Sequence, residues 1–280
     1  MAKPTSGPIN VKESSLILFP LYKDSLGSLL RMRYEQYIKD GLLTWTLTSN
    51  GYKYLTWNFV EHWRRSVKGQ PICVVCADKP SYSFLTREGV PCVLIDEAIK
   101  DFGPEICPFG SRTFSVLNRL KLRLLNHFAR DEAVQRCLYI DGDICVYKDI
   151  CADIKVRLEE TPLLFQCDEK EDCLGGGCSN LCTGLVAWRH GFDGGIFVVD
   201  DEAKWAEKPE DQVWVNWKLK KLGISCAPLP REIYPNGARV TKTKTSPELA
   251  EKAICLHYNY RVGESKKADM KRFGDWLLPY

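Results

Sequence analysis

Two aspartates stand two positions apart, directly after an apolar run, in the sequence Tyr139-Ile140-Asp141-Gly142-Asp143. Carboxylates at this spacing can both turn toward one hard divalent cation, and the small glycine between them lets the backbone bend. A cation held in this way can bridge to the oxygens of a diphosphate. The alternative is an ordinary charged turn, because Asp-Gly-Asp is frequent in turns. The buried strand predicted just before the motif favours the metal site.

A histidine and several lysines near the C-terminus could complete such a site. His257 ends the apolar run 253–257, where its imidazole could be a third ligand of the cation or could bond to backbone. Gly263, Lys266 and Lys267 follow, and a glycine that lets backbone approach, with lysines after it, suits a diphosphate leaving group. A solvated basic face over 261–272 is the alternative.

Two shorter motifs each allow two interpretations. Asp211-Gln212 follows Pro209 at the start of a predicted helix, so Asp211 is either a helix N-cap or a catalytic group. Thr183-Gly184 precedes a predicted strand at 185–188 and either brings backbone close to a sugar or forms only a turn.

The thirteen cysteines do not form a recognisable metal-binding pattern. The CxxC pair of Cys73 and Cys76 lies inside a predicted strand, where residues three apart do not share a face. Four more cysteines cluster in a glycine-rich stretch, with spacings that match no common zinc motif, namely Cys167, Cys173, Cys178 and Cys182. We therefore expect free, reduced thiols.

The composition limits the classes of partner. With 280 residues, 45% hydrophobic and 27% charged, the chain can build an ordinary large core. Its net charge of +3 implies no extended basic surface for nucleic acid, whereas a local positive patch fits a small anionic substrate. Neither a signal peptide nor an apolar segment of membrane-spanning length is visible, so we expect a soluble cytoplasmic protein.

The elements that would position these residues alternate between strands and helices. Strands are predicted at 42–48, 72–77, 91–95 and 137–140, separated by helices at 54–67, 82–88 and 114–128. The last helix is strongly amphipathic, with Arg119, Lys121 and Arg123 on its polar side. Alternation of this kind indicates a mainly parallel sheet with right-handed crossovers, in which ligands collect at the carboxyl ends of strands. Asp141 and Asp143 follow such an end.

In their order along the chain, these motifs resemble one family of GT-A-fold glycosyltransferases. The family is the nucleotide-diphospho-sugar transferases, which include plant cell-wall xylosyl- and arabinosyltransferases. The chain also resembles glycosyltransferases encoded by large algal viruses, including xylosyltransferases. The resemblance covers residues 42–276 and lies in Thr46-Leu47-Thr48-Ser49-Asn50-Gly51-Tyr52, Val74-Val75-Cys76-Ala77-Asp78, the helix around Lys121, Tyr139 to Asp143, Thr183-Gly184, Asp211-Gln212, 229–237 and 257–267.

The resemblance implies a single α/β domain over 1–280, with a GT-A-type, Rossmann-like, mainly parallel central sheet flanked by helices. Residues 1–41 would form an N-terminal extension, 42–150 a nucleotide-binding half and 151–280 an acceptor-binding half. The implied enzyme is a metal-dependent hexosyl- or pentosyltransferase. It would move a sugar, with a pentose such as xylose favoured, from a UDP-sugar to a hydroxyl of a glycan or glycoprotein. A viral enzyme of this kind would act in the host cytoplasm.

The resemblance also assigns roles to residues. Manganese or magnesium would be bound by Asp141, Asp143 and His257. Asp211 would be the base of an inverting enzyme, or would hold the sugar in a retaining one. The donor contacts would be Thr48, Ser49, Asn50, Tyr52, Asp78, Lys121, Asp141, Gly142, Thr183, Gly184, Gly263, Lys266 and Lys267.

Two other functions use a similar fold. A sugar nucleotidyltransferase should show a glycine-rich phosphate loop, of which Ser25-Leu26-Gly27-Ser28 is a weak version. A non-catalytic module that binds sugar nucleotides or glycans would not need the intact set of Asp141, Asp143 and His257.

Overall fold

A computed structural model describes residues 34–95, 103–169, 178–192 and 194–279. Most of the expected N-terminal extension, the weak glycine loop at 25–28 and Cys173 lie outside the described residues. The described strands are β1 Ile38–Lys39, β2 Leu42–Thr48, β3 Cys73–Cys76, β4 Cys92–Leu94, β5 Arg136–Ile140, β6 Ile144–Val146, β7 Leu163–Cys167, β8 Leu181–Arg189, β9 Ala227–Leu229 and β10 Cys255–His257. The described α-helices are α1 Lys53–Ser66, α2 Lys79–Arg87, α3 Arg112–Arg130, α4 Ile150–Glu160, α5 Glu202–Glu207, α6 Asp211–Leu222, α7 Val240–Thr245, α8 Pro247–Lys252 and α9 Glu264–Arg272.

The main sheet has the strand order β4-β3-β2-β5-β8-β7-β9, and β1 forms a short hairpin with β2. The first four strands of this order are parallel to one another, as are β7 and β9. Only β8 runs antiparallel to its neighbours β5 and β7 within this path. The prediction of a mainly parallel α/β sheet flanked by helices is therefore confirmed.

Side chains on the two faces of the main sheet form two separate cores, because successive residues of a strand point to opposite faces. On β5, Cys137 and Tyr139 belong to the core that packs against α3 and α6. Leu138 and Ile140 belong to the core that packs against α1 and α4. Both faces are covered, which explains why β2 and β3 are buried along their whole length.

A small sheet of two antiparallel strands, β6 and β10, lies beyond the carboxyl end of β5. A third cluster of buried residues supports it, including Cys145 on β6, Leu256 on β10 and Met270 on α9. The predicted strand at 253–257 is thus confirmed in its C-terminal part, and its partner β6 begins one residue after Asp143. This arrangement carries the C-terminal segment to the acidic pair.

Helix α3 begins at an N-cap, Ser111, whose hydroxyl accepts from the Phe114 N–H at 3.2 Å. The sequence groups Lys121 with Arg119 and Arg123 as polar residues of this helix, but the structure separates Lys121 from Arg123. Lys121 is only 6% exposed, because its side chain runs over the sheet to a pair of aspartates, whereas Arg123 faces solvent. None of the helices in the described ranges is long and apolar enough to cross a membrane.

Candidate active site

The acidic pair occupies the turn that leads from β5 into β6. The Asp141 N–H donates to the Gly184 carbonyl on β8 at 2.7 Å, and the Ile144 N–H donates to the Asp141 carbonyl at 3.2 Å. A Cβ atom at Gly142 would lie 2.6 Å from Thr56 Oγ1, so the middle position of the motif has no room for a side chain. The motif is a turn, and the same turn directs both carboxylates toward His257.

His257 reaches the acidic pair through the small sheet. It lies opposite Ile144 in the antiparallel register of β10 and β6. Its Nε2 is 3.1 Å from Asp143 Oδ1 and 4.0 Å from Asp141 Oδ2. One ligand atom from each of the three residues lies within 4.8 Å of the other two, a separation that one metal ion can span. Within the described ranges, no other group of three histidine, cysteine or acidic ligands comes this close.

A buried glutamine on β7 sets the orientation of the His257 ring. Gln166 donates from Nε2 to the carbonyls of Tyr234 and Pro235, at 3.1 and 3.2 Å. Its Oε1 therefore faces His257 and accepts from Nδ1–H at 2.7 Å. With the proton on Nδ1, the lone pair of Nε2 points at the two carboxylates. The alternative of a histidine bonded through its ring to backbone is wrong, since both ring nitrogens face side chains.

Gly184 provides the space in which the imidazole and Asp141 meet. A Cβ atom at this position would lie 2.4 Å from His257 Cε1 and 2.6 Å from Asp141 Oδ2. Contacts this short do not occur between non-bonded atoms, so only glycine fits. The structure also overturns the interpretation of Thr183-Gly184 as a turn before a strand, because both residues lie inside β8.

Lys266 at the start of α9 faces the same group of ligands. Its ammonium donates to Asp143 Oδ2, and the residue is buried. Burial alone would raise the pKa of Asp143, but the charge of Lys266 and the hydrogen bond that it donates hold this pKa well below its usual range. The Asp143 carboxyl is therefore ionised at neutral pH. A solvated basic face is the wrong description for this lysine.

Lys121 forms a second cationic contact on the opposite side of Asp141. Its Nζ lies 3.3 Å from Asp141 Oδ1 and 2.8 Å from Asp211 Oδ2. Burial alone would lower the pKa of Lys121, but the two carboxylates raise it above its usual value, so the ammonium stays charged. The Tyr139 hydroxyl also donates to Asp141 Oδ1. Burial, together with the charge of Asp141, raises the pKa of Tyr139 well above its usual value, which keeps this donor protonated.

Asp211 is part of the same network rather than a helix cap. The N-cap of α6 is Glu210, and Asp211 is the first helical residue. Its Oδ2 accepts from Thr183 Oγ1 at 2.8 Å as well as from Lys121. The N-cap interpretation is therefore wrong, and Asp211 joins α6 to both β8 and α3 at the carboxyl end of β5.

These groups line one cavity of about 500 Å³. Eleven of the residues predicted as catalytic, donor-binding or metal-binding line its wall, namely Tyr52, Lys121, Asp141, Gly142, Asp143, Thr183, Gly184, Asp211, His257, Gly263 and Lys266. The cavity lies at the carboxyl ends of β2 and β5, where an α/β sheet collects its ligands. The rim includes hydrophobic side chains that are unusually exposed, among them Phe109 and Val262.

The other predicted donor residues do not line this wall. Thr48 accepts from Thr56 Oγ1 at 2.8 Å. Asp78 caps α2 and accepts from the backbone N–H of Asn50 at 2.8 Å, and Ser49 is buried beside them. Lys267 places its Nζ 5.0 Å from the ring centre of Trp276. Their roles in binding the donor stay predictions.

Three polar residues that the sequence prediction did not include belong to the site. Gln166 orients His257, and Asn118 lines the cavity one turn before Lys121 on α3. Asp168 lies in the wall and accepts from Gln212 Nε2 at 3.0 Å and from Asn259 Nδ2 at 2.6 Å. A polar residue that ends an apolar run, as Gln166 does in Leu163-Leu164-Phe165-Gln166, was the available signal.

The three clustered ligands suit a divalent cation. Two carboxylates and one imidazole are donors that Mn²⁺ accepts readily and Mg²⁺ accepts in part. The lone pair of His257 Nε2 already faces the carboxylate oxygens, and the pKa of Asp143 keeps that carboxyl ionised. Asp141, Asp143 and His257 therefore fit a metal. The described cysteines all carry free thiols, as expected from the sequence.

Comparison with solved structures identifies the fold. The glycosyltransferase GlyE of Streptococcus pneumoniae TIGR4 matches with a TM-score of 0.54 and 14% identity, over 84% of this chain and 60% of that one. The galactosyltransferase LgtC, solved with donor and acceptor sugar analogues, matches with a TM-score of 0.52 and 12% identity, over 85% of this chain and 97% of that one. The fold is the GT-A fold of glycosyltransferases.

The family follows from the sequence model of the nucleotide-diphospho-sugar transferases, which matches residues 68–270. The chain belongs to this family and has the GT-A fold of glycosyltransferases. A comparison with curated protein sequences found no match. The chain spans 60% of the length of the GlyE structure, so the activity of the whole of that protein does not transfer to it directly.

Proposed function

We propose that the protein transfers a sugar from a UDP-sugar to a hydroxyl of a glycan or glycoprotein, and that the reaction needs a divalent cation. The observation that carries this proposal is the meeting of Asp141, Asp143 and His257 in one cavity, with Lys121 and Lys266 on either side. Two acids, an imidazole and two ammonium groups form a site for an anion that is bound through a metal. A diphosphate is such an anion.

Each residue has a definite part in the proposed reaction. A bound cation supplies Lewis-acid stabilisation of the negative charge that develops on the leaving diphosphate. Lys266 is positioned to place a second positive charge beside that diphosphate, because its ammonium already contacts Asp143. Burial of these groups strengthens each electrostatic contact relative to water.

Asp211 is the residue for which the sequence leaves two roles open. Its Oδ2 is held by Lys121 and Thr183, at 2.8 Å in both cases. A carboxylate engaged by an ammonium and a hydroxyl is a well-fixed hydrogen-bond acceptor. These contacts support the role in which Asp211 holds the donated sugar through its hydroxyl groups.

The finer assignments rest on the sequence resemblance. The similarity to xylosyl- and arabinosyltransferases favours a pentose such as xylose, and the ligand set favours manganese over magnesium. A cytoplasmic location, in the host if the enzyme is viral, stays a prediction.

The proposal is tested with a panel of UDP-sugars, with and without MnCl₂, by measuring UDP release. Asp143→Ala should lower the metal-dependent rate at least about 100-fold, because it removes one ligand and the partner of Lys266. Asp200→Ala is the matched control, since Asp200 is also paired with a lysine, Lys218 at 2.7 Å, but lies outside the cavity. The control should keep the wild-type rate. Metal-independent release, or full activity of Asp143→Ala, would refute the proposed site.

A further inference from the structure

Asn118 presents an amide that has no hydrogen-bond partner among the described residues. Its side chain is 7% exposed, and its Nδ2 atom is buried without an acceptor. A buried donor in this condition costs free energy, and such groups in native proteins usually have a specific reason. Asn118 also lines the cavity that contains the metal ligands. The missing partner of the amide can therefore be part of a molecule that binds in this cavity.

The position of Asn118 on α3 indicates which part of the molecule it meets. Phe114, Leu117, Asn118 and Lys121 share one face of the helix and line the same wall. Lys121 is one turn, about 4.5 Å, further along the axis, and its ammonium lies between Asp141 and Asp211. Lys266 contacts Asp143 instead. Asn118 thus lies on the α3 wall of the cavity, beside the lysine that contacts Asp141 and Asp211, whereas Lys266 approaches Asp143 from α9.

The chemistry of the amide favours a hydroxyl group as its partner. A carboxamide carries a donor and an acceptor, and a hydroxyl can both donate and accept. Phosphate oxygens only accept, and the two lysines already offer charged donors, which make stronger bonds with them. The adjoining Asp211 and Thr183 are also polar groups suited to hydroxyls. The wall from Asn118 to Asp211 is therefore built to bind a polyhydroxylated group.

We infer that Asn118 is a donor-binding residue that hydrogen-bonds a hydroxyl of the sugar being transferred, and that it contributes to the choice of sugar. This inference rests on the proposed function, since it assumes that the cavity takes a nucleotide sugar. The amide contacts the sugar and not the nucleotide, so changing it should alter the affinity for UDP-sugar relative to that for UDP.

The test compares Asn118→Leu with the wild type by calorimetric titration of UDP and of UDP-xylose, UDP-arabinose, UDP-glucose and UDP-galactose, all with MnCl₂ and without acceptor. Leucine has the same number and branching of side-chain heavy atoms and no polar atoms. For the UDP-sugar that the wild type binds, the ratio of its Kd to the Kd of UDP should rise about three- to tenfold, the effect of one lost hydrogen bond. The melting temperature without ligand should not fall, because the substitution removes an unsatisfied buried donor.

Asn126→Leu is the matched control. Asn126 lies on the same helix and also has a buried amide atom without a partner among the described residues, but it is outside the cavity wall. It should leave the ratio of the two Kd values unchanged. If Asn118→Leu does not fold, Asn118→Ala removes the same amide without adding bulk.

Two results would overturn the inference alone. One is an unchanged ratio in a folded Asn118 variant, and the other is an equal loss of affinity for UDP and UDP-sugar, which would place the amide against the nucleotide. If the wild type binds none of these UDP-sugars with manganese, the proposed function fails and the inference fails with it.

Discussion

The substitution Gly184→Ala tests whether the close approach of β8 to the ligands is what allows the metal site to form. Gly184 lies in the middle of β8, so an alanine keeps the backbone conformation of the strand. Its single added carbon would point at the imidazole of His257 and the carboxylate of Asp141. The substitution removes no charged group or metal ligand, since all three ligands and both lysines remain in the chain.

The size of the effect follows from two distances. The added Cβ would lie 2.4 Å from His257 Cε1, whereas ordinary contact begins at 3.4 Å, so the ring or the strand must move by about 1 Å. Metal-ligand distances tolerate only about 0.2 Å of error. We expect the affinity for Mn²⁺ to fall about 100-fold or more. Overpacking should lower the free energy of unfolding by about 1–3 kcal/mol.

The assay is calorimetric titration of MnCl₂ into the protein in the presence of UDP, with urea unfolding of the same samples. Gly103→Ala is the control, because a Cβ atom there meets no heavy atom within 4 Å and the backbone does not have a positive φ. It should match the wild type in both measurements. The reasoning is refuted if Gly184→Ala is folded and binds Mn²⁺ within about threefold of the wild type.

Two further predictions concern buried polar side chains. Gln166→Leu should lower Mn²⁺ affinity about 10- to 100-fold, because the His257 ring loses the acceptor that orients it. The same substitution removes three hydrogen bonds and should lower the free energy of unfolding by about 3 kcal/mol. Its control, Gln70→Leu, loses one hydrogen bond to the Leu42 carbonyl. It should lower the free energy of unfolding by about 1 kcal/mol and leave the metal affinity unchanged. Equal metal affinities in the two variants would contradict the role of Gln166. Burial lowers the pKa of His62 in the folded protein. The contribution of His62 to stability is therefore complete above the unfolded-state pKa of about 6.5. It is lost as the pH falls from there toward the lower, folded-state pKa. Urea unfolding from pH 8 to pH 5 should show a weaker pH dependence for His62→Gln, and an identical dependence would exclude this explanation.

The sheet and the acidic turn could be predicted because their signals are local. The strand at 42–48 is rich in β-branched and aromatic residues, and the strand at 137–140 is a continuous apolar run. Helices are predicted between them, as in a parallel sheet. The pair of Asp141 and Asp143 follows the second run without a gap. His257 could be added because it ends another apolar run. In each case the residue type and its place at a strand end are visible in the sequence.

The remaining site residues depend on contacts between distant parts of the chain. Lys121 reads as a solvated residue of an amphipathic helix, and only the presence of Asp141 and Asp211 beneath α3 makes its burial favourable. Thr183-Gly184 resembles a turn, yet pairing with β5 and β7 extends β8 through it. Asn118 has no local signal that separates it from other polar residues, and the signal for Gln166 is only its place at the end of an apolar run. Tertiary structure defines these residues as part of the site.

The small sheet brings together two parts of the chain that are far apart in sequence. Asp143 precedes β6 and His257 ends β10, and the segment between them contains β7, β8 and α6. A cation bound by both residues would close this long loop much as a covalent cross-link does. A cation that closes this loop in the folded protein and does not bind the unfolded chain stabilises the native state. Removing the cation with a chelator would therefore have two effects. It would break the link between the acidic turn and the C-terminal segment, and it would take a positive charge out of the cavity.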